Sequence, residues 1–199
     1  GEPYTALYKR DRVPFDRGGE GRLIKEGSIL ELIRKQRGDA VANALVSFGD
    51  KVGEIESNNI PTRVQDIKLD GQLVADGPGR GKYQFEMFYR GGKGGAKTAV
   101  QRALNLYEKY GQKAPENLIK LSLQKDIDFS KLPESLQDDI FYANAAMKGG
   151  FLLDDLASGK LTEKEAWLTH HWAGKKEDRK EKSTLWDDRF VSGTKDLTN

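Results

Sequence analysis

The stretch that decides the fold begins with VANALVSFGDKVGEIES (residues 41–57) and ends with GPGRGKYQF (residues 77–85). In its first part, apolar residues recur at steps of three and four: Val41, Leu45, Phe48, Val52 and Ile55. This spacing predicts an amphipathic helix with one buried face. Two asparagines and Pro61 follow, so we expect the helix to end near Ser57, with the carboxyl group of Glu56 in its last turn.

The residues after this helix change from a helical to an alternating period. Apolar and polar residues alternate on either side of the two-residue turn signal Asp70-Gly71, which predicts a β-hairpin over residues 62–76. In such a hairpin Ile67 would face Val74, and we expect this apolar pair to pack on the helices. A turn rich in glycine then leads to Gln84.

This order of elements resembles the lysozyme-like lytic transglycosylases. In that family a helix-terminal Glu-Ser precedes a hairpin and a Gly-Leu-Met-Gln-like turn; the matching residues here are Glu56-Ser57 and Gly79-Arg80-Gly81-Lys82-Tyr83-Gln84. The helix expected from Ala96 to Tyr110 is similar to the one that follows the turn in the family. The resemblance implies an α+β, mainly α fold, a lysozyme-like helical domain with a small β-hairpin lobe.

The chain divides into three predicted parts. Residues 1–27 mix charges, aromatics and glycine and are interpreted as an irregular N-terminal arm. Residues 28–174 carry the helical patterns, including a capping box at Thr162-x-x-Glu165, and form the predicted catalytic domain. Residues 175–199 begin with KKEDRKEK and are interpreted as a charged C-terminal extension.

Composition excludes several classes of function. The 33 basic and 31 acidic residues nearly cancel, whereas a nucleic-acid-binding domain usually has a concentrated basic surface. The absence of cysteine excludes disulfides and thiolate metal sites. No apolar run approaches the roughly 20 residues of a membrane span, and no signal-peptide pattern opens the sequence. We expect no metal or other cofactor, and the adjacent His170 and His171 are more simply interpreted as part of a packed helix.

The resemblance implies that Glu56 is the catalytic residue. Cleavage of a glycosidic bond needs an acid that protonates the leaving oxygen. A helix C-terminus carries partial negative charge and therefore favours a protonated carboxyl group there. Glu54 is the rival, but helix positions two apart point in nearly opposite directions, so only one of the two can face a given cleft. Ser57 completes the family's Glu-Ser pair and favours Glu56.

The resemblance also implies a set of substrate-binding residues. Gln84 corresponds to the family glutamine beside the acid, Tyr83 precedes it, and Ser57 follows the acid. The family's later Tyr-Asn-Ala-Gly-like motif is not cleanly present; Phe141-Tyr142-Ala143-Asn144 stands in for it, with Tyr142 or Asn144 reaching the cleft.

The hypothesis for function is a peptidoglycan lytic transglycosylase with one catalytic glutamate. Asp66, Asp70 and Asp76 are candidates for a second carboxylate, but each has a simpler interpretation as a turn or surface residue. The alternatives are a muramidase that uses water and a non-catalytic wall-binding or structural virion module. The expected partners are peptidoglycan glycan strands and a larger phage assembly, in a virion or in the bacterial periplasm or cell wall. A shared cleft for Glu56 and Gln84 would favour the enzyme.

Overall fold

The computed structural model describes residues 29–91, 95–172 and 174–192. Within these ranges the α-helices are α1 (Ile29–Arg37), α2 (Asp39–Ser57), α3 (Gly95–Lys109), α4 (Glu116–Ser122), α5 (Glu134–Met147), α6 (Leu153–Ser158), α7 (Glu163–Ala166) and α8 (Arg179–Asp187). The strands are β1 (Val64–Leu69), β2 (Gln72–Arg80) and β3 (Phe85–Glu86). Short 3-10 turns span Phe129–Lys131 and Lys176–Asp178, and π-helical turns span Trp167–His171 and Asp188–Ser192. The predicted arm, residues 1–27, lies outside the described residues.

The predicted fold class, α+β and mainly α, is confirmed. Helix α2 lies at the centre, with its apolar face against α1, α5 and α6. The ring of Phe48 on α2 packs 5.6 Å from Phe141 and 5.7 Å from Phe151, measured between centroids. Helix α3 closes the other side of the core by packing on α4 and α5. None of the helices in the described ranges is long and apolar enough to cross a membrane.

The hairpin forms where the alternating pattern predicted it, but it does not pack as expected. Both turn residues, Asp70 and Gly71, have positive φ, as the favoured two-residue hairpin turns require. A register shift next to Ile67 pairs it with Ala75 rather than with Val74. Ile67 and Val74 are 42% and 56% exposed, so the predicted apolar pair on the helices is wrong. A bulge moves side chains to new partners, and the alternation alone does not reveal one.

The glycine-rich turn after β2 has a left-handed backbone at Gly81. Gly81 has φ +82° and donates its N–H to the Arg63 carbonyl at 2.7 Å. A Cβ on Gly81 would lie 2.5 Å from Gln137 Oε1 and 2.9 Å from Phe129 Cβ. Both the left-handed backbone and the close packing therefore demand glycine at this position.

The predicted C-terminal extension is partly integrated into the domain. The charged residues at its start are exposed, but α8 then places Trp186 against Trp167, with ring centroids 5.4 Å apart. Trp186 is buried, and Lys164 on α7 forms an ion pair with Asp187 at 3.1 Å. Residues 193–199 lie outside the described residues.

We predict that Gly81→Ala destabilises the fold more than Gly71→Ala does. Both positions have positive φ, so each substitution costs about 1 to 2 kcal/mol from the left-handed backbone. Only Gly81 also lacks space for a Cβ, and overpacking adds about 1 to 3 kcal/mol. Urea unfolding of the two variants measures the difference; equal losses of unfolding free energy would contradict the packing described for Gly81.

Candidate functional site

Helix α2 places Glu56 at the boundary between the core and the solvent. Val52, one helical turn earlier, is fully buried, and residues four apart share a helix face. The helix ends one residue after Glu56, where Asn58 adopts a left-handed conformation and caps the last turn. The Glu56 side chain is 20% exposed, so its carboxyl group emerges from the end of the buried face.

Two side chains from the π-helical turn Trp167–His171 contact this carboxyl group. The indole Nε1–H of Trp167 donates a hydrogen bond to Glu56 Oε2 at 2.9 Å. Nε2 of His171 lies 3.9 Å from the same oxygen. The packed helix predicted for this segment forms, and it widens from an α-helical to a π-helical turn after Ala166. Such π turns are often found at functional sites.

His171 is a buried and neutral neighbour of Glu56. Its Nε2 lies 2.9 Å from the Tyr83 carbonyl oxygen, which can only accept, so Nε2 carries the hydrogen. The ring packs against Phe85 and Phe141. Burial lowers the pKa of His171, although the Glu56 charge acts in the opposite direction. Among the described residues, the carboxyl group of Glu56 therefore has one hydrogen-bond donor, Trp167, and no cation within 4.0 Å at neutral pH.

The glycine-rich turn carries Gln84 to the same place. Gln84 adopts φ +56°, and its Nε2 donates to the Gly81 carbonyl at 2.9 Å and the Arg63 carbonyl at 3.3 Å. Its Oε1 lies over Gly79, where a Cβ would approach it to 2.7 Å. The side chain is thus fixed by its own turn, and its Oε1 is left to accept a hydrogen bond.

Glu56 and Gln84 line one cleft of about 550 Å³. Asn144, the third predicted residue in this cleft, accepts a hydrogen bond from Arg102 at 2.9 Å. Sequence reasoning missed the other charged and aromatic residues that line it: Phe85, Glu86, Arg102, Lys148, His170, His171, Trp172 and Lys182. Of these, Phe85 and Glu86 directly follow Gln84, and Arg102 lies on the helix that the resemblance also covered.

Ser57, Tyr83 and Tyr142, also predicted to bind substrate, are buried and do not line this cleft. The Ser57 hydroxyl donates to the Lys82 carbonyl at 2.7 Å and accepts from the Ile60 N–H at 3.1 Å, so it joins the end of α2 to the glycine-rich turn. Tyr83 stacks on Phe141 with ring centroids 4.2 Å apart. Burial raises the pKa of Tyr142 well above its usual value.

A partly buried polar cluster supports the turn from behind. The Tyr83 hydroxyl donates to Asp138 Oδ1 at 2.6 Å, and the Lys82 ammonium lies 3.0 Å from both Asp138 and Glu134. Burial raises the pKa of Asp138, and the Lys82 charge opposes that rise. These contacts fix the two residues before Gln84 and therefore its position in the cleft.

The rival carboxylates lie elsewhere. Glu54 forms an ion pair with Arg189 at 2.7 Å and does not line the cleft. Asp66, Asp70 and Asp76 are exposed on the hairpin and do not line it either. Across the ranges that the structure describes, no group of three His, Cys, Asp or Glu residues is arranged to hold a metal ion.

We predict that burial of His171 makes the fold less stable as the pH falls. In an unfolded chain a histidine has a pKa of about 6.5. The folded-state pKa of His171 is lower, so below about pH 6.5 the unfolded chain binds protons more readily and the unfolding free energy decreases.

Thermal unfolding from pH 7.5 to 5 should show this decrease, and the decrease should be smaller in His171→Gln. His170, whose pKa burial also lowers, contributes to the decrease that remains in the His171→Gln variant. NMR titration of the His171 ring identifies the group, and a folded-state pKa at or above 6.5 would contradict the prediction.

Comparisons with known proteins give no family for this chain. No family model, no curated protein and no solved structure matches the chain. A functional assignment therefore depends on the residues of the cleft and on their arrangement.

Proposed function

We propose that this protein is a peptidoglycan lytic transglycosylase that cleaves the β-1,4 bond between N-acetylmuramic acid and N-acetylglucosamine, with Glu56 as its catalytic residue. The observation that carries the proposal is that Glu56 and Gln84, 28 positions apart in sequence (84 − 56), line one polar cleft. The sequence resemblance to lysozyme-like transglycosylases also supports the proposal, because it points to Glu56 and Gln84 from the sequence without reference to the cleft.

In the first step Glu56 acts as the acid. Its proton passes to the bridging oxygen, the bond from the muramic acid C1 to that oxygen breaks, and positive charge develops at C1. Trp167 holds Oε2, whereas Oε1 makes no hydrogen bond within the described residues, so Oε1 is the oxygen available to carry the proton. Burial of most of the side chain keeps competing water away from it.

In the second step the same group acts as the base. The Glu56 carboxylate accepts the proton of the sugar's own 6-hydroxyl, whose oxygen bonds to C1 and closes a 1,6-anhydro ring. The glutamate regains the proton that it gave, and no water is consumed. One carboxyl group is therefore enough for the whole cycle.

The two amides in the cleft offer complementary hydrogen bonds to an N-acetyl group. The side-chain N–H groups of Gln84 already donate to backbone carbonyls, so its Oε1 is the atom that can accept from the acetamido N–H. Asn144 has its oxygen occupied by Arg102 and can donate from its amide nitrogen to the acetamido carbonyl. This pairing supports an N-acetylated sugar as the substrate.

A second candidate is a muramidase, and a specific observation favours it. Glu86 lines the same cleft as Glu56 and could activate a water molecule, as the second carboxylate does in an inverting hydrolase. The residue is exposed and lies on the short strand β3. A third candidate, a non-catalytic wall-binding module of a virion, needs neither carboxyl group.

We predict that Glu56→Gln abolishes peptidoglycan cleavage without loss of stability. Glutamine keeps the shape of the side chain but cannot deliver the proton, and loss of a general acid costs about 100- to 10,000-fold in rate. The matched control is Glu54→Gln on the same helix, which should retain activity because Glu54 lies outside the cleft. Release of soluble fragments from purified peptidoglycan measures both variants; full activity in Glu56→Gln would overturn the assignment.

We predict further that the released muramic acid ends as the 1,6-anhydro sugar and that Glu86→Gln retains most of the activity. Mass spectrometry separates this product from the hydrolysed one, which is heavier by one water. A reducing-end product together with an inactive Glu86→Gln variant would identify the muramidase instead. Intact binding to peptidoglycan with no product from the wild-type protein would identify the non-catalytic module.

A further inference from the structure

Three cationic side chains line the cleft and together form what we call the basic cluster: Arg102, Lys148 and Lys182. They come from separate parts of the chain, since Arg102 lies on α3, Lys148 follows the end of α5, and Lys182 lies on α8. All three are partly buried. Arg102 and Lys148 are neighbours, because Arg102 hydrogen-bonds Asn144, one helical turn before Lys148.

Glu56 and Glu86 line the same cleft, but no carboxylate of the described residues lies within 4.0 Å of these three cations. Arg102 donates to the Asn144 side chain, Lys148 donates to the His170 carbonyl, and neither acceptor is charged. Most other partly buried cations in the described ranges do have a carboxylate within 4.0 Å: Arg34, Arg37, Lys51, Lys164 and Arg179. Burial lowers the pKa of Lys148, and the charge of Arg102 lowers it further.

Uncompensated cations in a cleft indicate an anionic ligand. Burial of a charge is unfavourable unless a partner pairs with it, and like charges brought together repel one another. A ligand carboxylate would relieve both costs through charge-assisted hydrogen bonds, which are stronger than neutral ones. Arginine suits such a ligand because its guanidinium can bind both carboxylate oxygens.

We propose that the basic cluster binds a carboxylate of the peptide that branches from the glycan strand. This inference rests on the proposed function, in which the sugars of the strand occupy the same cleft. In a peptide-bearing strand the lactyl carboxyl group of each muramic acid is bound in the amide to the peptide, so the free carboxylates belong to the peptide. The cluster therefore selects strands whose peptide carboxylates are free over strands in which they are amidated.

Cleavage of two substrates tests this: peptide-bearing strands, and the same strands with their peptide carboxylates amidated. We expect the wild-type protein to prefer the first, and Lys182→Gln to raise KM for it by about three- to tenfold. Lys182→Gln should match the wild-type protein on the amidated strands. Arg102 is left unchanged in this test because it also holds the side chain of Asn144.

Lys180→Gln is the matched control, since Lys180 is an exposed lysine on the same helix as Lys182 and does not line the cleft. It should resemble the wild-type protein on every substrate. Equal losses of Lys182→Gln on the free and amidated strands, or a wild-type protein with no preference between the two, would overturn the role of the cluster while cleavage itself upholds the proposed function.

A binding measurement distinguishes failure of this inference from failure of the proposed function. Calorimetry with the Glu56→Gln protein and a peptide-bearing disaccharide, free or amidated, does not depend on catalysis. Tighter binding of the free carboxylate, lost in Lys182→Gln, upholds the cluster even if the wild-type protein cleaves nothing. Equal affinity for the free and amidated forms overturns the cluster whatever the outcome of the cleavage assay.

Discussion

The candidate site depends on one buried hydroxyl group. Ser57 Oγ bonds to the Lys82 carbonyl and receives the Ile60 N–H, so it ties the end of α2 to the turn that leads to Gln84. Without it, the buried Lys82 carbonyl would lose this partner, at a cost of about 1 to 3 kcal/mol, whereas the Ile60 N–H also bonds to the Ser57 carbonyl at 3.2 Å. The same contact sets the separation between Glu56, one residue earlier on α2, and Gln84, two residues later than Lys82. Ser57 therefore has a positioning role, whereas the resemblance implied contact with substrate.

The π-helical turn Trp167–His171 supplies the second constraint on Glu56. Trp167 and His171, at the two ends of this wider turn, both lie beside the end of α2. Trp167 is anchored from behind by Trp186, so the C-terminal helix α8 contributes to the orientation of the candidate acid. The predicted division after residue 174 separates sequence patterns, but residues 179–192 pack with the domain that precedes them.

The cleft is lined by polar side chains that hydrogen bonds hold in place. The amides of Gln84 and Asn144 are both fixed by hydrogen bonds that leave one donor or acceptor free for a ligand. Behind them, the buried Lys82 and Tyr83 both donate hydrogen bonds to the partly buried Asp138. Preorganised groups of this kind favour binding because little conformational freedom remains to be lost. In the basic cluster, by contrast, Arg102 and Lys148 donate only to uncharged acceptors within the described residues, so their charges are available to an anionic ligand.

The sequence by itself determined the elements whose signals are local. The spacing of apolar residues located α2, the pair Asp70-Gly71 located the hairpin turn, and the glycines indicated the unusual backbone before Gln84. The tertiary structure alone decided which residues meet across long separations. It placed Glu86, rather than Asp66 or Asp76, in the cleft, and it brought Trp167, His171, Arg102 and Lys182 to the same region. It also introduced the bulge beside Ile67 and the π turn after Ala166. The physical reason is that periodicity reports only which face of an element is buried, whereas these contacts depend on how several helices pack at once.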